Sequence, residues 1–299
     1  MEALIESIAR GLGQGGVYAM LGLGFVIVYK GTDVVNFAQP ALMILGAFFV
    51  SWFTFDVGLP FFAAVPVAML AAALLGASIE RIALRPMVGQ PVFSAAMVTV
   101  GVFFALLTIA TRLIGTDIRR AGDPWGLNSF VFADTIQIFQ VDVAKVVTAL
   151  LAFAVVGAYF KYSRSGLAIR ATASDQETAL AQGVKVGRMF GLSWALAGAL
   201  GALAGVFIGA GGVGFEPITA LIALKALPAI ILGGLDSIKG ALIGGLVIGV
   251  IESLSRTYQP GLAPWLGANF DQVVPYLVML IVLMIRPYGL FGTPEIERV

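Results

Sequence analysis

The sequence predicts an all-α integral membrane protein, a polytopic bundle of about eight or nine transmembrane helices with broken or re-entrant segments. The chain of 299 residues is 59% hydrophobic with a mean hydropathy of +0.97. Only 12% of its residues are charged, about half the fraction of a typical soluble domain. Several uncharged runs approach the roughly 20 residues that a helix needs to cross about 30 Å of hydrocarbon. The sequence lacks the strict alternation of a membrane β-barrel.

Nine apolar segments follow one another in a single transmembrane domain that covers residues 1–299. The seventh and eighth are short, contain glycine and meet at the sequence GGLDSIKG, residues 233–240. They therefore fit either two crossing helices or one re-entrant hairpin. The nine predicted spans are residues 8–29, 38–54, 60–79, 92–111, 143–160, 190–211, 217–233, 238–255 and 272–286.

The positive charges predict the orientation of the bundle. If the N-terminus lies outside, eleven of the 18 Lys and Arg residues fall on one side, six on the other and Lys225 within a span. Since cytoplasmic loops carry the excess of Lys and Arg, the richer side is expected to be the cytoplasmic one. It contains Lys30, Arg81, Arg85, Lys161, Arg164, Arg170, Lys185, Arg188, Lys239, Arg286 and Arg298.

Several function classes are excluded by what the sequence lacks. It has no cysteine and no histidine, which removes disulfides, thiolate nucleophiles, the usual zinc sites and the commonest general base. The net charge of +1 gives no attraction for a nucleic acid. No GxxxxGK[ST] phosphate loop occurs, because in GGLDSIKG the lysine is followed by glycine. We therefore expect no enzyme active site and no cofactor in this chain; any ATP and magnesium would be bound by a partner.

Polar groups near the second and seventh spans are candidates for a translocation pathway. Asn36 and Gln39 precede Pro40, which lies near the first position of the second helix, where a missing N–H costs nothing. This segment fits an ordinary helix start, or a broken helix whose polar groups face a pathway. Lys225 lies within the seventh span, where a charge must be paired or hydrated. It fits a structural ion pair, or a polar element beside the pathway.

Two further patterns concern helix packing and the outer surface. Glycines recur at a spacing of four residues in the sixth and eighth spans, which favours close packing within one bundle over an interface with a second subunit. The outer segment 115–142 contains Gly, Pro, Asn and Asp and is predicted to be an irregular loop. Its Arg119 and Arg120 are candidate contacts for an external partner.

The segment 161–190 is the longest charged stretch and is predicted to be a cytoplasmic loop that binds a partner. Ser174 as N-cap and Glu177 at the third helical position form a capping-box pattern, and Gly183 would end the helix. This helix is expected to expose Ala179 and Leu180. Ordinary connections between helices are much shorter than 30 residues. The candidate contact residues are Arg170, Asp175, Gln176, Glu177, Ala179, Leu180 and Gly183.

Four segments together resemble the permease subunit of branched-chain amino-acid ABC importers. The resemblance covers nearly the whole chain, and one departure is Pro40, where the family usually has glycine. The segments are GVYAMLGLGFVIVYKGTDVVNFAQPALMILGAF (16–48), ERIALRPM (80–87), SGLAIRATASDQETALAQGVKV (165–186) and ALKALPAIILGGLDSIKGALIGGLVIGVIES (223–253).

The resemblance implies a multi-pass protein of a prokaryotic inner (plasma) membrane that works by ATP-driven alternating access. Its expected partners are two cytoplasmic ATPase subunits, a second permease subunit, related or identical, and an extracytoplasmic substrate-binding protein. The helix around Asp175 to Gly183 matches the family's coupling element. The expected substrates are branched-chain or related hydrophobic amino acids; urea, short amides or aromatic carboxylates are the alternative. The alternatives to an ATP-driven importer are an ion-coupled secondary transporter and a passive channel, neither of which needs an ATPase partner.

Overall fold

The computed structural model describes residues 1–115, 117–132 and 135–293. Most of this part of the chain is helical. Its α-helices are α1 (Glu2–Thr32), α2 (Gln39–Phe55), α3 (Phe61–Ile79), α4 (Val92–Ile114), α5 (Gln140–Tyr162), α6 (Arg164–Ser174), α7 (Gln176–Ala181), α8 (Val186–Ile208), α9 (Ala226–Gly233), α10 (Ile238–Leu262) and α11 (Val274–Ile285). A π-helical turn (Glu80–Leu84) and a 3-10 turn (Arg85–Met87) extend α3.

The nine predicted spans correspond to the apolar helices of the bundle. Six helical segments of the described chain are long and apolar enough to cross a membrane, and three shorter ones are Gln39–Phe55, Pro217–Gly233 and Phe270–Ile285. The protein is therefore a multi-pass helical membrane protein, as predicted. We call the end that carries α6 and α7 the inner end and the opposite one the outer end. The inner end corresponds to the side expected to be cytoplasmic; Arg298, counted there, lies outside the described residues.

Helix α1 forms the centre of the bundle. The side chains from Val17 to Val28 are buried, and α5, α8, α9 and α10 surround the helix. Small residues allow this packing: a side chain at Gly249 of α10 would clash with the backbone of α1 at Gly11 and Gly15. A side chain at Gly244 would likewise clash with Ala229 of α9. The glycine spacing in α10 thus reflects close packing within one chain, as the sequence favoured.

The seventh and eighth apolar segments are two crossing segments rather than a re-entrant hairpin. The seventh begins as a 3-10 helix (Pro217–Lys225) and continues as α9. At rises of about 2.0 and 1.5 Å per residue, these 17 residues extend about 30 Å. Phe215, before this segment, pairs with Arg119 at the outer end, whereas Lys30 at the inner end donates to Asp236 O after it. The eighth segment is one continuous helix, α10.

The outer segment is more regular than the sequence predicted. Strands β1 (Ser129–Phe132) and β2 (Ile136–Phe139) pair in an antiparallel hairpin whose register places Ser129 opposite Phe139. Before the hairpin, Trp125 stacks on Phe207 of α8 with the ring centroids 5.2 Å apart. Alternating Phe, Val and Ile residues favour strands, and this signal was missed because the neighbouring Gly, Pro and Asn residues suggested an irregular loop.

Candidate functional site

At the inner end, α6 is a helix that the sequence analysis did not predict. Ser163 caps it, accepting a hydrogen bond from Gly166 N at 2.8 Å. Ile169 is fully buried in the central core, and α6 packs against α1, α5 and α8. Arg170 is exposed on the same helix. The segment 161–190 is thus not a loop with one helix but two helices, the first fixed to the bundle.

Helix α7 follows after a single non-helical residue, Asp175. The Asp175 carboxylate accepts hydrogen bonds from Thr178 N at 3.0 Å and Thr178 Oγ1 at 2.7 Å. These bonds to Thr178 lower the pKa of Asp175 below its ordinary value of 3.8. The predicted N-cap, Ser174, is wrong, because Ser174 is the last residue of α6. Gly183 has a positive φ of 81° just after α7, where the helix was predicted to end.

One expected surface residue of α7 is buried. Ala179 is only 3% exposed, and its carbonyl accepts a hydrogen bond from Val184 N at 3.0 Å. The prediction that Ala179 is exposed is therefore wrong: this face of α7 packs against α6 and α8. Leu180 is 57% exposed, as predicted, and Glu177 is exposed beside the half-buried Gln176. The exposed surface of α7 therefore carries one leucine, Leu180, beside polar side chains.

Asn36 and Gln39, predicted as pathway residues, lie inside the bundle. Both side chains are fully buried. Asn36 Nδ2 donates to Gln39 Oε1 at 3.1 Å, and Gln39 Nε2 donates to the carbonyl of Ala197 in α8 at 3.0 Å. Asn36 Oδ1 accepts from Ala38 N at 3.0 Å, which fixes the start of α2. In this conformation Gln39 joins α2 to α8, and Asn36 is hydrogen-bonded to Gln39. A role of these residues in transport stays a prediction.

Lys225, the third predicted pathway residue, belongs to a cluster of charges in the outer half. Its Nζ lies 2.7 Å from Glu252 Oε1. Glu252 Oε2 accepts a hydrogen bond from the Tyr18 hydroxyl at 2.7 Å. Arg256 lies 3.2 Å from Glu252 Oε1 and 2.8 Å from Asp271 Oδ2. This set, which we call the outer charge cluster, comprises Tyr18, Lys225, Glu252, Arg256 and Asp271.

The sequence analysis expected Lys225 to be paired or hydrated but did not predict the rest of the cluster. The spacing of Glu252 and Arg256, four residues apart in α10, is a recognisable ion-pair signal. Tyr18 and Asp271 carry no such signal, because they come from distant segments. The cluster satisfies the requirement that a charge in a membrane helix be paired.

Of the two arginines of the outer segment, Arg119 is engaged within the chain. Its Nε donates to Ser51 Oγ at 2.8 Å, and its guanidinium pairs with Asp56. The same guanidinium lies 4.9 Å from the ring centroid of Phe48. Arg120 is exposed. Among these two, Arg120 is therefore the better candidate for contact with an external partner.

Comparisons with known proteins agree on one family. A family model described as "Branched-chain amino acid transport system / permease component" matches residues 7–283. The permease protein LivH of the high-affinity branched-chain amino acid transport system of Escherichia coli K12 is 31% identical to this chain, with 99% of this chain and 97% of that protein aligned. The corresponding protein BraD of Pseudomonas aeruginosa is 29% identical, with 99% and 98% aligned.

The fold also resembles a solved structure. The structure described as PsaBC from Streptococcus pneumoniae in complex with Fab superposes with a TM-score of 0.50 and 16% sequence identity. The superposition covers 96% of this chain and 93% of that chain. At this identity the likeness concerns the fold alone.

Proposed function

Because this chain belongs to the family of branched-chain amino acid transport permease components, we propose that it is a membrane-spanning subunit of an ABC importer. Its substrates would be branched-chain or related hydrophobic amino acids. Relatives named as transport permeases indicate that the chain is not an enzyme by itself. ATP and magnesium would be bound by two cytoplasmic ATPase subunits. A second permease chain and an extracytoplasmic binding protein would complete the complex.

The observation that carries this proposal is the two-helix element at the inner end. A motor can act on the bundle only through a surface that is exposed on one side and fixed to the bundle on the other. Leu180 of α7 supplies the exposed side. Ile169 of α6 supplies the fixed side, in the core beside α1 and α8. A displacement of α7 would thus reach the central helix through one short rigid helix.

The contact with the motor would be small. Leu180 would fill an apolar depression of the ATPase, and Glu177, Gln176 and Arg170 would lie at its polar rim. Such an arrangement, with an apolar anchor inside a polar rim, concentrates the binding energy in a few residues. The cap made by Asp175 fixes the direction of α7 relative to α6, and Gly183 allows the chain to turn towards α8.

An ion-coupled transporter is the alternative that one observation favours. Glu252 is a buried carboxylate within a membrane helix, the type of group that binds a coupling proton or cation. However, Lys225 and Arg256 both lie within 3.2 Å of its Oε1. The carboxylate oxygen that a coupling ion would have to contact is thus already occupied by two cationic side chains of the same chain. The outer charge cluster therefore supports a structural role over ion coupling.

The decisive experiment is reconstitution. The chain would be coexpressed with its ATPase and permease partners, purified and placed in liposomes with the binding protein. We expect ATP hydrolysis to rise when leucine-loaded binding protein is added, and radiolabelled leucine to accumulate only with ATP. An ATPase that binds but cannot hydrolyse ATP is the control. If urea or benzoate but not leucine stimulated ATP hydrolysis, the proposed substrate would be wrong. If this chain alone took up substrate along a gradient, the proposed dependence on an ATPase would be wrong.

A further inference from the structure

A cavity lies at the inner end of the bundle, and the proposed coupling to the ATPase gives it no role. Its volume is about 260 Å³, enough for a small amino acid. It lies between the end of α1, the turn after α3, the start of α4, and helices α7 and α8. Its lining includes Asp33, Glu80, Val88, Gln176, Phe190 and Trp194.

Two helix ends of opposite polarity border this cavity. Helix α1 ends there at Thr32, so the partial negative charge of its C-terminus faces this region, and Asp33 adds a carboxylate. Helix α4 begins there at Val92, after Pro91, with no side-chain cap. The partial positive charge of its N-terminus favours an anion. The cavity thus has one side that suits a cation and one that suits an anion.

The wall of the cavity also contains a buried donor without a partner. Trp194 is fully buried and lines the cavity. Among the described residues, its Nε1 has no hydrogen-bond acceptor. A buried indole N–H normally finds a partner, and leaving one unsatisfied costs free energy. A bound carboxylate or carbonyl oxygen would accept this hydrogen bond.

The wall is held in place before any ligand binds. The buried carboxylate of Glu80 accepts from Arg85 Nε at 3.2 Å and Arg85 Nη2 at 2.9 Å. The same Nη2 donates to Gly187 O at 2.8 Å, in the first turn of α8. Leu84, Met87, Phe190 and other apolar side chains supply the rest of the surface, which suits an aliphatic group.

We propose that this cavity binds a zwitterionic amino acid with an aliphatic side chain from the cytoplasmic side, and that the bound amino acid restrains α7. The ammonium group lies towards the end of α1 and Asp33. The carboxylate lies towards the start of α4 and the Trp194 N–H, and the side chain lies against the apolar wall. Gln176 is the first residue of α7 and also lines the cavity, so the ligand contacts the helix proposed to couple the bundle to its motor. This inference rests on the proposed function for the identity of the ligand.

Binding is tested by calorimetry on the purified complex, without ATP and without the binding protein. Leucine is expected to bind, whereas isovalerate, which lacks the ammonium, and isoamylamine, which lacks the carboxylate, bind at least tenfold more weakly. Replacing Trp194 with Phe keeps the apolar wall but removes the donor, and is expected to weaken leucine binding by about fivefold, the effect of one hydrogen bond. Isovalerate or isoamylamine binding as tightly as leucine would overturn the proposal.

A matched pair of variants locates the site. Val88 is 53% exposed at the mouth of the cavity, and Ile82 is 76% exposed on the neighbouring turn but outside it. Val88→Trp is expected to fill the mouth and reduce leucine affinity at least tenfold, whereas Ile82→Trp leaves it unchanged. Equal effects of the two, or none, would place any leucine site elsewhere and overturn the proposal.

Restraint of α7 is read from hydrogen exchange in the same complex. Leucine is expected to slow exchange at residues 176–181 in the wild-type complex and with Ile82→Trp, but not with Val88→Trp. Unchanged exchange at saturating leucine would contradict the restraint. A complex that imports leucine but shows no calorimetric binding would overturn this inference and leave the proposed function intact. Failure of leucine-driven import would instead count against the proposed function.

Discussion

Two groups of charged residues in this protein have opposite surroundings. In the outer charge cluster, Glu252 contacts Tyr18, Lys225 and Arg256, and Arg256 also pairs with Asp271. In the inner element of α6 and α7, the charged side chains of Arg170 and Glu177 are exposed. In the first group the charges are paired within the chain, although the Arg256 side chain is 58% exposed. The second offers its charges to solvent or to another protein.

The difference shows what burial does to the role of a charge. A buried charge that is fully paired contributes to one arrangement of helices, and removing one partner leaves the others unpaired in a poor solvent. An exposed charge contributes little to stability but remains available for recognition. Variants of the outer cluster should therefore change the stability of the chain, and variants of α7 should change its coupling to partners.

Removing Glu252 should have the largest effect. In Glu252→Ala, Lys225 loses its carboxylate, Arg256 keeps only Asp271, and the Tyr18 hydroxyl loses its acceptor. We expect a loss of about 3–5 kcal/mol of stability, the usual cost of breaking a buried ion pair from one side. The measurement is unfolding of the purified protein in detergent, followed by helical circular dichroism.

A double variant separates the pair from its neighbours. Lys225→Met alone leaves Glu252 facing Arg256, whereas Lys225→Met combined with Glu252→Gln removes both buried charges. The free energy of unfolding is measured for Lys225→Met, for Glu252→Gln and for the double variant. The double variant is expected to lose about 1–3 kcal/mol less than the sum of the two single losses. Glu177→Gln in α7, which removes an exposed carboxylate, is the control and should leave stability unchanged. Additive losses would show that Lys225 and Glu252 act independently.

Leu180 tests the opposite region. Leu180→Asp places a charge at the centre of the proposed motor contact, which a desolvated depression would not accept. We expect ATP-driven import to fall at least tenfold while the unfolding transition of the chain is unchanged. Leu127→Asp, at a side chain 75% exposed at the outer end, is the matched control and should not affect coupling. Equal import by wild type and Leu180→Asp would mean that the motor binds elsewhere.

The contrast between the two regions was only partly predictable from the sequence. Long apolar runs fixed the positions of the helices because membrane thickness sets their length. The surroundings of individual polar residues depend on segments distant in the chain. Ala179, a small residue in a charged segment, was expected to be exposed, but α6 covers it. Asn36 and Gln39 were named as pathway candidates, a role that stays a prediction. Their burial could not be predicted, because it depends on α8, which provides an acceptor for Gln39.

The sequence analysis placed the N-cap of α7 one residue too early. Ser174 and Asp175 are both good N-cap residues, and the Ser–Glu spacing favoured the first. The structure uses Asp175, because α6 continues through Ser174 and leaves no room for an earlier start. The sequence pattern did predict an exposed capped helix at this place. It could not predict the helix α6, whose burial depends on contacts with α1 and α8.

Asp175 should have a smaller effect than Leu180, because it orients α7 without contacting the core. Asp175→Ala removes the cap and is expected to raise hydrogen exchange at residues 176–181 and to reduce import several-fold. Asp175→Asn keeps an acceptor and should remain near wild type. Since hydrogen bonds lower the pKa of Asp175 from 3.8, the ionised cap is fully present above this value. Its contribution is lost only as the pH falls through the lowered pKa, so α7 should show no pH dependence from this group between pH 6 and 8. A change there would contradict the assignment of the cap.

The smallest expected effect comes from Arg120, an exposed charge at the outer end. The sequence suggested that both arginines at 119 and 120 contact the binding protein, but Arg119 is held by Ser51 and Asp56 within the chain. Arg120→Gln is therefore expected to raise the half-saturating concentration of binding protein about two- to threefold at low salt, and less at 0.15 M, where exposed charges are screened over about 8 Å. Arg119→Gln should instead lower the stability of the chain and leave the salt dependence of docking unchanged. The opposite result would be wild-type behaviour of Arg120→Gln across the salt series together with a changed salt dependence in Arg119→Gln. In that case the paired arginine, not the exposed one, would steer docking, and the contrast between paired and exposed charges would not hold at the outer end.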